Sequence, residues 1–126
     1  MLFLNGIIIS FISTVLTPGH EFVAASDWDR ALNSFRVALR LDNRHYNAWF
    51  GIGQIYLSQQ RVPMAHHHFT RSLEINPASS VLHCYMGMVH IANKSLDDAL
   101  VSLNRAIDLD PKNTLAKYKR VTVLVQ

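Results

Sequence analysis

Seven histidines and one cysteine carry most of the reactive chemistry in this chain, and three of the histidines are consecutive, His66-His67-His68. Imidazole ligates zinc, copper and nickel, so the run invites a metal. On a helix, though, successive side chains diverge by about 100°, and three neighbours cannot converge on one ion. The expectation is two surface histidines and one packed near Phe69. His83-Cys84 with His90 suggests a thiolate and its base, but adjacent residues again point apart and no acid stands where it would orient a histidine. Neither a glycine-rich phosphate loop nor a paired-carboxylate constellation is present. The sequence therefore predicts no catalysis, no cofactor and no metal site.

The bulk properties narrow the partners. At 49% hydrophobic and 17% charged residues in a 126-residue chain, the composition is globular and excludes disorder throughout. The net charge of +3 invites nucleic acid, but residues 1 to 113 hold nine basic and nine acidic side chains. The excess is Lys117, Lys119 and Arg120, which makes no basic face, so no nucleic acid is expected. Cys84 alone cannot close an intramolecular disulfide, which points to a reducing compartment.

Met1 to Leu16 is the exception, with eleven large apolar side chains and no charge before Glu21. It is shorter than the roughly 20 residues of a spanning helix, and it lacks the basic start and small-x-small site of a signal peptide. The expectation is a buried first helix or a stretch wrongly joined in front of a fragment. The alternative is a membrane-tethered or secreted protein that uses these residues as its address.

The elements that position everything else come from a repeat. ALNSFRVALRLDN from Ala31, AHHHFTRSLEINP from Ala65 and ALVSLNRAIDLDP from Ala99 align at a spacing of 34. Each has Ala, a bulky residue four later (Phe35, Phe69, Leu103) and a small one three further on (Ala38, Ser72, Ala106), offsets that stack on one helical face. Upstream, Trp49, Ile52, Gly53 and Tyr56 fall within an arc of about 100° on a second helix, and His83, Met86, Gly87 and His90 repeat them. Gly53 and Gly87 sit mid-helix at a cost of roughly 1 kcal/mol each, which predicts close helix approach. Asn76-Pro77 and Asp110-Pro111 end the second helices, Pro63 suits a first turn, and Ser26-x-x-Asp29 and Ser95-x-x-Asp98 read as capping boxes. Each unit is a helical hairpin.

At this point the sequence resembles the tetratricopeptide repeat. Residues 46–79 carry the signature as Trp49, Ile52, Gly53, Tyr56, Ala65, Phe69, Ser72 and Pro77, while 80–113 is a looser copy with His83 and His90 in the aromatic core slots. Residues 19–45 form a partial unit with Asn43 where proline is usual and with Gly19 and Phe22 in register to end its first helix. Residues 114–126 would be the first helix of a truncated unit, and 1–18 stand apart. The fold implied is all-α, stacked antiparallel hairpins in a fragment of a right-handed superhelix. GHEF from Gly19, RHYNAWFGIGQIY from Arg44, INPASSVLHC from Ile75 and LNRAIDLDPKN from Leu103 are more closely similar to the cell division cycle protein 27 family, scaffold subunits of the anaphase-promoting complex, a ubiquitin ligase. That resemblance implies a non-catalytic interaction scaffold of the cell cycle, in nucleus and cytoplasm, homodimeric when full-length. Its groove would receive the Ile-Arg C-terminal tails of activator subunits, and this chain would be a fragment.

In such a stack the first helices line the concave surface. The face opposite the core arc holds Asn47, Phe50, Gln54 and Ser58 in one unit and Val81, Cys84, Met88 and Ala92 in the next, the peptide-contact candidates. Amides would pair a peptide backbone, and aromatic and thioether groups would take an apolar anchor. With no Lys or Arg among them, the acidic tail of a chaperone is disfavoured as ligand. Leu115, Tyr118, Val121, Leu124 and Val125 have no following helix to cover them, so the isolated chain is expected to self-associate.

Overall fold

The computed structural model describes residues 27–126. Six helices follow one another: α1 Trp28–Leu41, α2 Tyr46–Ser58, α3 Val62–Ile75, α4 Ser80–Ala92, α5 Leu96–Leu109 and α6 Thr114–Leu124, with no strand among the described residues. The pairs α2/α3 and α4/α5 are antiparallel hairpins, and each packs on its neighbours along the chain. This is the expected all-α stack. Met1 to Leu16, Gly19, Phe22 and Ser26 lie outside the described residues.

The second helices supply the wedges. Ala31, Phe35 and Ala38 in α1, Ala65, Phe69 and Ser72 in α3, and Ala99, Leu103 and Ala106 in α5 are all 0% exposed, as the four-then-three offsets require. Phe69 lies against its own first helix at Gly53, where a Cβ would come within 2.5 Å of the ring. Its other side meets Tyr85 of the next first helix, ring centroids 5.7 Å apart. One repeat earlier Phe35 makes the corresponding onward contact at Gly51, whose missing side chain admits the ring. The Phe69 wedge thus joins two hairpins, and burying an aromatic ring of this size contributes about 2 to 3 kcal/mol.

Trp49 departs from the core reading. It is half-buried, its indole N–H donating to Asn43 O at 3.0 Å and its face covered by the Arg71 guanidinium at 5.4 Å. It lies in the first turn of α2, near the end of the hairpin, while Ile52 and Tyr56, further along the same face, are buried.

The helix ends are only partly those expected. Pro63 stands in the first turn of α3, and Asn76 and Asp110, each before a proline, leave the helical region as C-caps. At α1 the cap is Asp27 rather than Ser26, its carboxylate accepting from the Arg30 amide. Ser95 caps α5 by position only; its hydroxyl makes no capping bond, and Asp97 and Asp98 face the helix dipole instead. The turn at Asn43 closes without the usual proline, the Asp42 carboxylate accepting from the Arg44 amide at 3.0 Å as Asp110 accepts from Lys112.

Candidate functional site

α2 and α4 stand side by side in one layer. The Phe50 ring meets Tyr85 edge-on at 4.9 Å and Phe69 at 5.8 Å, tying the first helices to the core wedge beneath. The Gln54 amide donates from Nε2 to Tyr85 Oη at 3.2 Å, and its Oε1 is buried with no hydrogen-bond partner. Whichever way round the amide is set, one end is left over. A buried carbonyl without a donor costs about 1 to 3 kcal/mol, which a ligand N–H would recover once the side chain turns outward. Ser58, one turn on, donates its hydroxyl to Gln54 O at 2.9 Å.

The candidates divide by exposure. Asn47, Ser58 and Ala92 are exposed, Val81 is 50% exposed, and Phe50, Gln54 and Met88 are half-buried. Cys84 corrects the sequence reading. Expected on the open face, it is 1% exposed and packed in a cluster with Ala116 and Val123 of α6. The reason is that a first helix in a stack has three sides: its hairpin partner, the next first helix, and solvent. Phe50 and Cys84 are 34 apart and both turn toward the next first helix. Phe50 finds Tyr85 there, whereas Cys84 finds Lys119 at the corresponding position. Burial pushes the Cys84 thiol up to about 11, with Lys119 pulling weakly the other way. A thiol so held is protonated at neutral pH and unsuited to nucleophilic attack.

Tyr85 is the site residue that the sequence reading missed. It adjoins Cys84 and stands 34 after Gly51, so its ring fills in one unit the place that is empty in the other. Comparison of the two units position by position would have found it.

The three consecutive histidines do not converge on one point, as the 100° argument requires, although the His67 and His68 rings meet edge-on at 5.0 Å. His66 and His67 are exposed, while His68 is half-buried between Trp49 (5.6 Å) and Tyr56 (5.2 Å) and donates from Nδ1 to Met64 O at 2.8 Å. Burial holds its pKa below the ordinary 6.5; the bond to Met64 opposes that, and His67 and Arg36 add to it. His83 donates from Nε2 to Pro77 O at 2.8 Å, a copy of the Trp49 bond to Asn43 one repeat earlier. That bond fixes His83 as a structural donor pointing to the loop and away from Cys84. No group of three potential metal ligands gathers among the described residues.

Known proteins agree with this geometry. Two tetratricopeptide repeat models match, over residues 16–80 and 82–113. Anaphase-promoting complex subunit 3 of Schizosaccharomyces pombe is 43% identical over 85% of this chain, and cell division cycle protein 27 homolog B of Arabidopsis thaliana is 42% identical over 85%. The chain spans 16% and 14% of those two relatives. In structure it is similar to the first repeat domain of Spaghetti (RPAP3) bound to an HSP90 peptide, TM-score 0.82 at 14% identity, covering 90% of both chains, a likeness of fold. Hairpins recurring every 34 residues, aromatic wedges seated against mid-helix glycines and two matching repeat models together place the chain in the tetratricopeptide repeat family.

Proposed function

We propose that this protein-interaction scaffold is part of the anaphase-promoting complex and receives the C-terminal tails of partner proteins on the face of α2 and α4. The observation that carries the reading is the Gln54 amide, bound to Tyr85 at one end and unpartnered at the other, beside the Phe50 ring. An extended peptide would satisfy the amide with its backbone and lay an apolar side chain against Phe50, Met88 and Val81, with Asn47 and Ser58 at the margins. The relatives named for that complex support the assignment, and with it a place in the nucleus as well as the cytoplasm and in the cell cycle. In this reading the chain holds proteins together without chemistry of its own; homodimerisation belongs to the full-length protein.

The acidic chaperone tail remains the competing ligand class, since a protein of this fold is bound to one. α2 and α4 carry no Lys or Arg to meet its carboxylates, which disfavours the acidic tail. Fluorescence anisotropy with a labelled Ile-Arg-ended peptide tests this. Binding is expected, with about a tenfold loss on Gln54→Ala and unchanged helicity. Binding of only an acidic tail, or an unaltered affinity in Gln54→Ala, would overturn it.

A further inference from the structure

The loop between α1 and α2 meets the last turn of α3 across a cleft of about 300 Å³, lined by Asn43, Arg44, Arg71, Glu74 and Ile75. Two guanidinium groups belong to its walls. Arg71 is held from two sides, lying over the Trp49 ring at 5.4 Å and giving an N–H to Glu74 at 2.8 Å. Arg44 is exposed, and its guanidinium forms no hydrogen bond or ion pair among the described residues. Asn43 gives its backbone carbonyl to Trp49 and keeps its side-chain amide for a ligand. The next unit does not repeat this arrangement. Its corresponding residues are Pro77, Ala78, Arg105, Asp108 and Leu109, so the pairing of an arginine with an acid three residues on recurs, while Arg44 and the Asn43 amide do not.

We infer that this cleft docks a phosphorylated serine or threonine of a partner protein. Guanidinium groups present forked N–H donors that match phosphate oxygens, and Arg71, already ordered by Trp49 and Glu74, loses little side-chain freedom on binding. The opposing charges decide which anion fits. Glu74 and the carbonyl end of α3 both disfavour negative charge here, so a carboxylate, with a single charge, gains little against them. A phosphate monoester carries about −1.5 to −2 at pH 7 and has oxygens for both arginines. Ile75, half-buried in the wall, offers an apolar contact to the residue beside the phosphate. None of the lining residues belongs to the α2/α4 face, so the inference stands apart from the proposed function.

The test uses the full chain and three labelled short peptides: one with a central phosphoserine followed by leucine, and the same peptide with serine or with glutamate at that place. Anisotropy titrations should show the phosphopeptide binding at least about tenfold tighter than either of the others, weakening with salt and displaced by inorganic phosphate. Arg44→Ala, which gives this loop the alanine that the next unit has at Ala78, should remove the preference for phosphate with helicity unchanged, since the Arg44 side chain holds no structural bond. Arg105→Ala, at the place in the next unit where a second arginine is lacking, should leave the affinity as it was. Equal affinity for the three peptides, a phosphate preference that survives Arg44→Ala, or one that falls as far in Arg105→Ala as in Arg44→Ala would each overturn the inference; the last two would mean that the phosphate is held elsewhere or by the overall charge of the chain.

Discussion

Ser72 and Ser80 hold the same joint from opposite sides. Ser72 in α3 donates to Tyr46 O at 2.8 Å; one repeat on, the corresponding residues are Ala106 and Ser80, and Ser80 donates to Ala106 O at 2.7 Å. The bond closing the hairpin persists while its donor moves to the other helix, and Asn113 donates to the Ser80 hydroxyl at 2.8 Å. Two residue-level predictions follow from burial. Cys84, buried and with its thiol raised to about 11, should resist iodoacetamide at neutral pH while the unfolded chain is fully labelled, as read by mass. Fast labelling of the native chain would mean that α6 does not stay on α4. His68 titrates in the opposite sense. Its folded pKa lies below the ordinary 6.5, so the unfolded chain binds more protons there and its share of stability, complete above that pH, is lost as pH falls toward the lowered value. Urea midpoints should drop from about pH 7 to pH 5, and His68→Gln should flatten the slope.

At the scale of elements, α2 and α4 end in the same way. Gln60 and Lys94 both have φ of 60°, the left-handed region that glycine usually fills at this place. Around them Gln60 N donates to Leu57 O and Arg61 N to Tyr56 O, with Lys94 to Ile91 and Ser95 to His90 as the copy. The Arg61 guanidinium lies over the Tyr56 ring at 5.0 Å and seals the first of these turns. Gln60→Gly and Lys94→Gly should each raise stability by about 0.5 to 1 kcal/mol in urea unfolding, whereas Lys94→Val should lower it by about 1 kcal/mol. The glycines inside the helices behave in the opposite way. Gly53→Ala gains about 1 kcal/mol of helix propensity but drives a methyl into the Phe69 ring, for a net loss of about 1 kcal/mol. Gly87→Ala should lose less, because Leu103 can turn aside where the rigid ring cannot. Equal losses would mean that Phe69 is not wedged.

Over residues 27–126 the helices pack in one continuous stack from α1 to α6, and α6 of the isolated chain carries exposed apolar groups. Tyr118, Leu124 and Val125 are 66%, 64% and 77% exposed on a helix with three cations. Without a partner these apolar groups should draw chains together, against the repulsion of Lys117, Lys119 and Arg120. Light scattering at increasing protein concentration should show association that strengthens with added salt, because salt screens the charges and favours burial. A monodisperse monomer at high salt would contradict it.

The sequence by itself determined the period, the hairpins and the buried faces, because Ala, Phe and small residues at offsets of four and three can be hidden only on one side of a helix. That His66, His67 and His68 do not converge was legible for the same reason: helical geometry is local. Cys84, Trp49 and Tyr85 were settled only by the tertiary structure. Their exposure depends on the neighbouring hairpin, which closes α6 over Cys84, leaves one edge of Trp49 to solvent and brings Tyr85 onto Gln54. A residue between two helices of one stack has an environment set by a chain segment some 34 positions away, and no periodicity within its own helix encodes that.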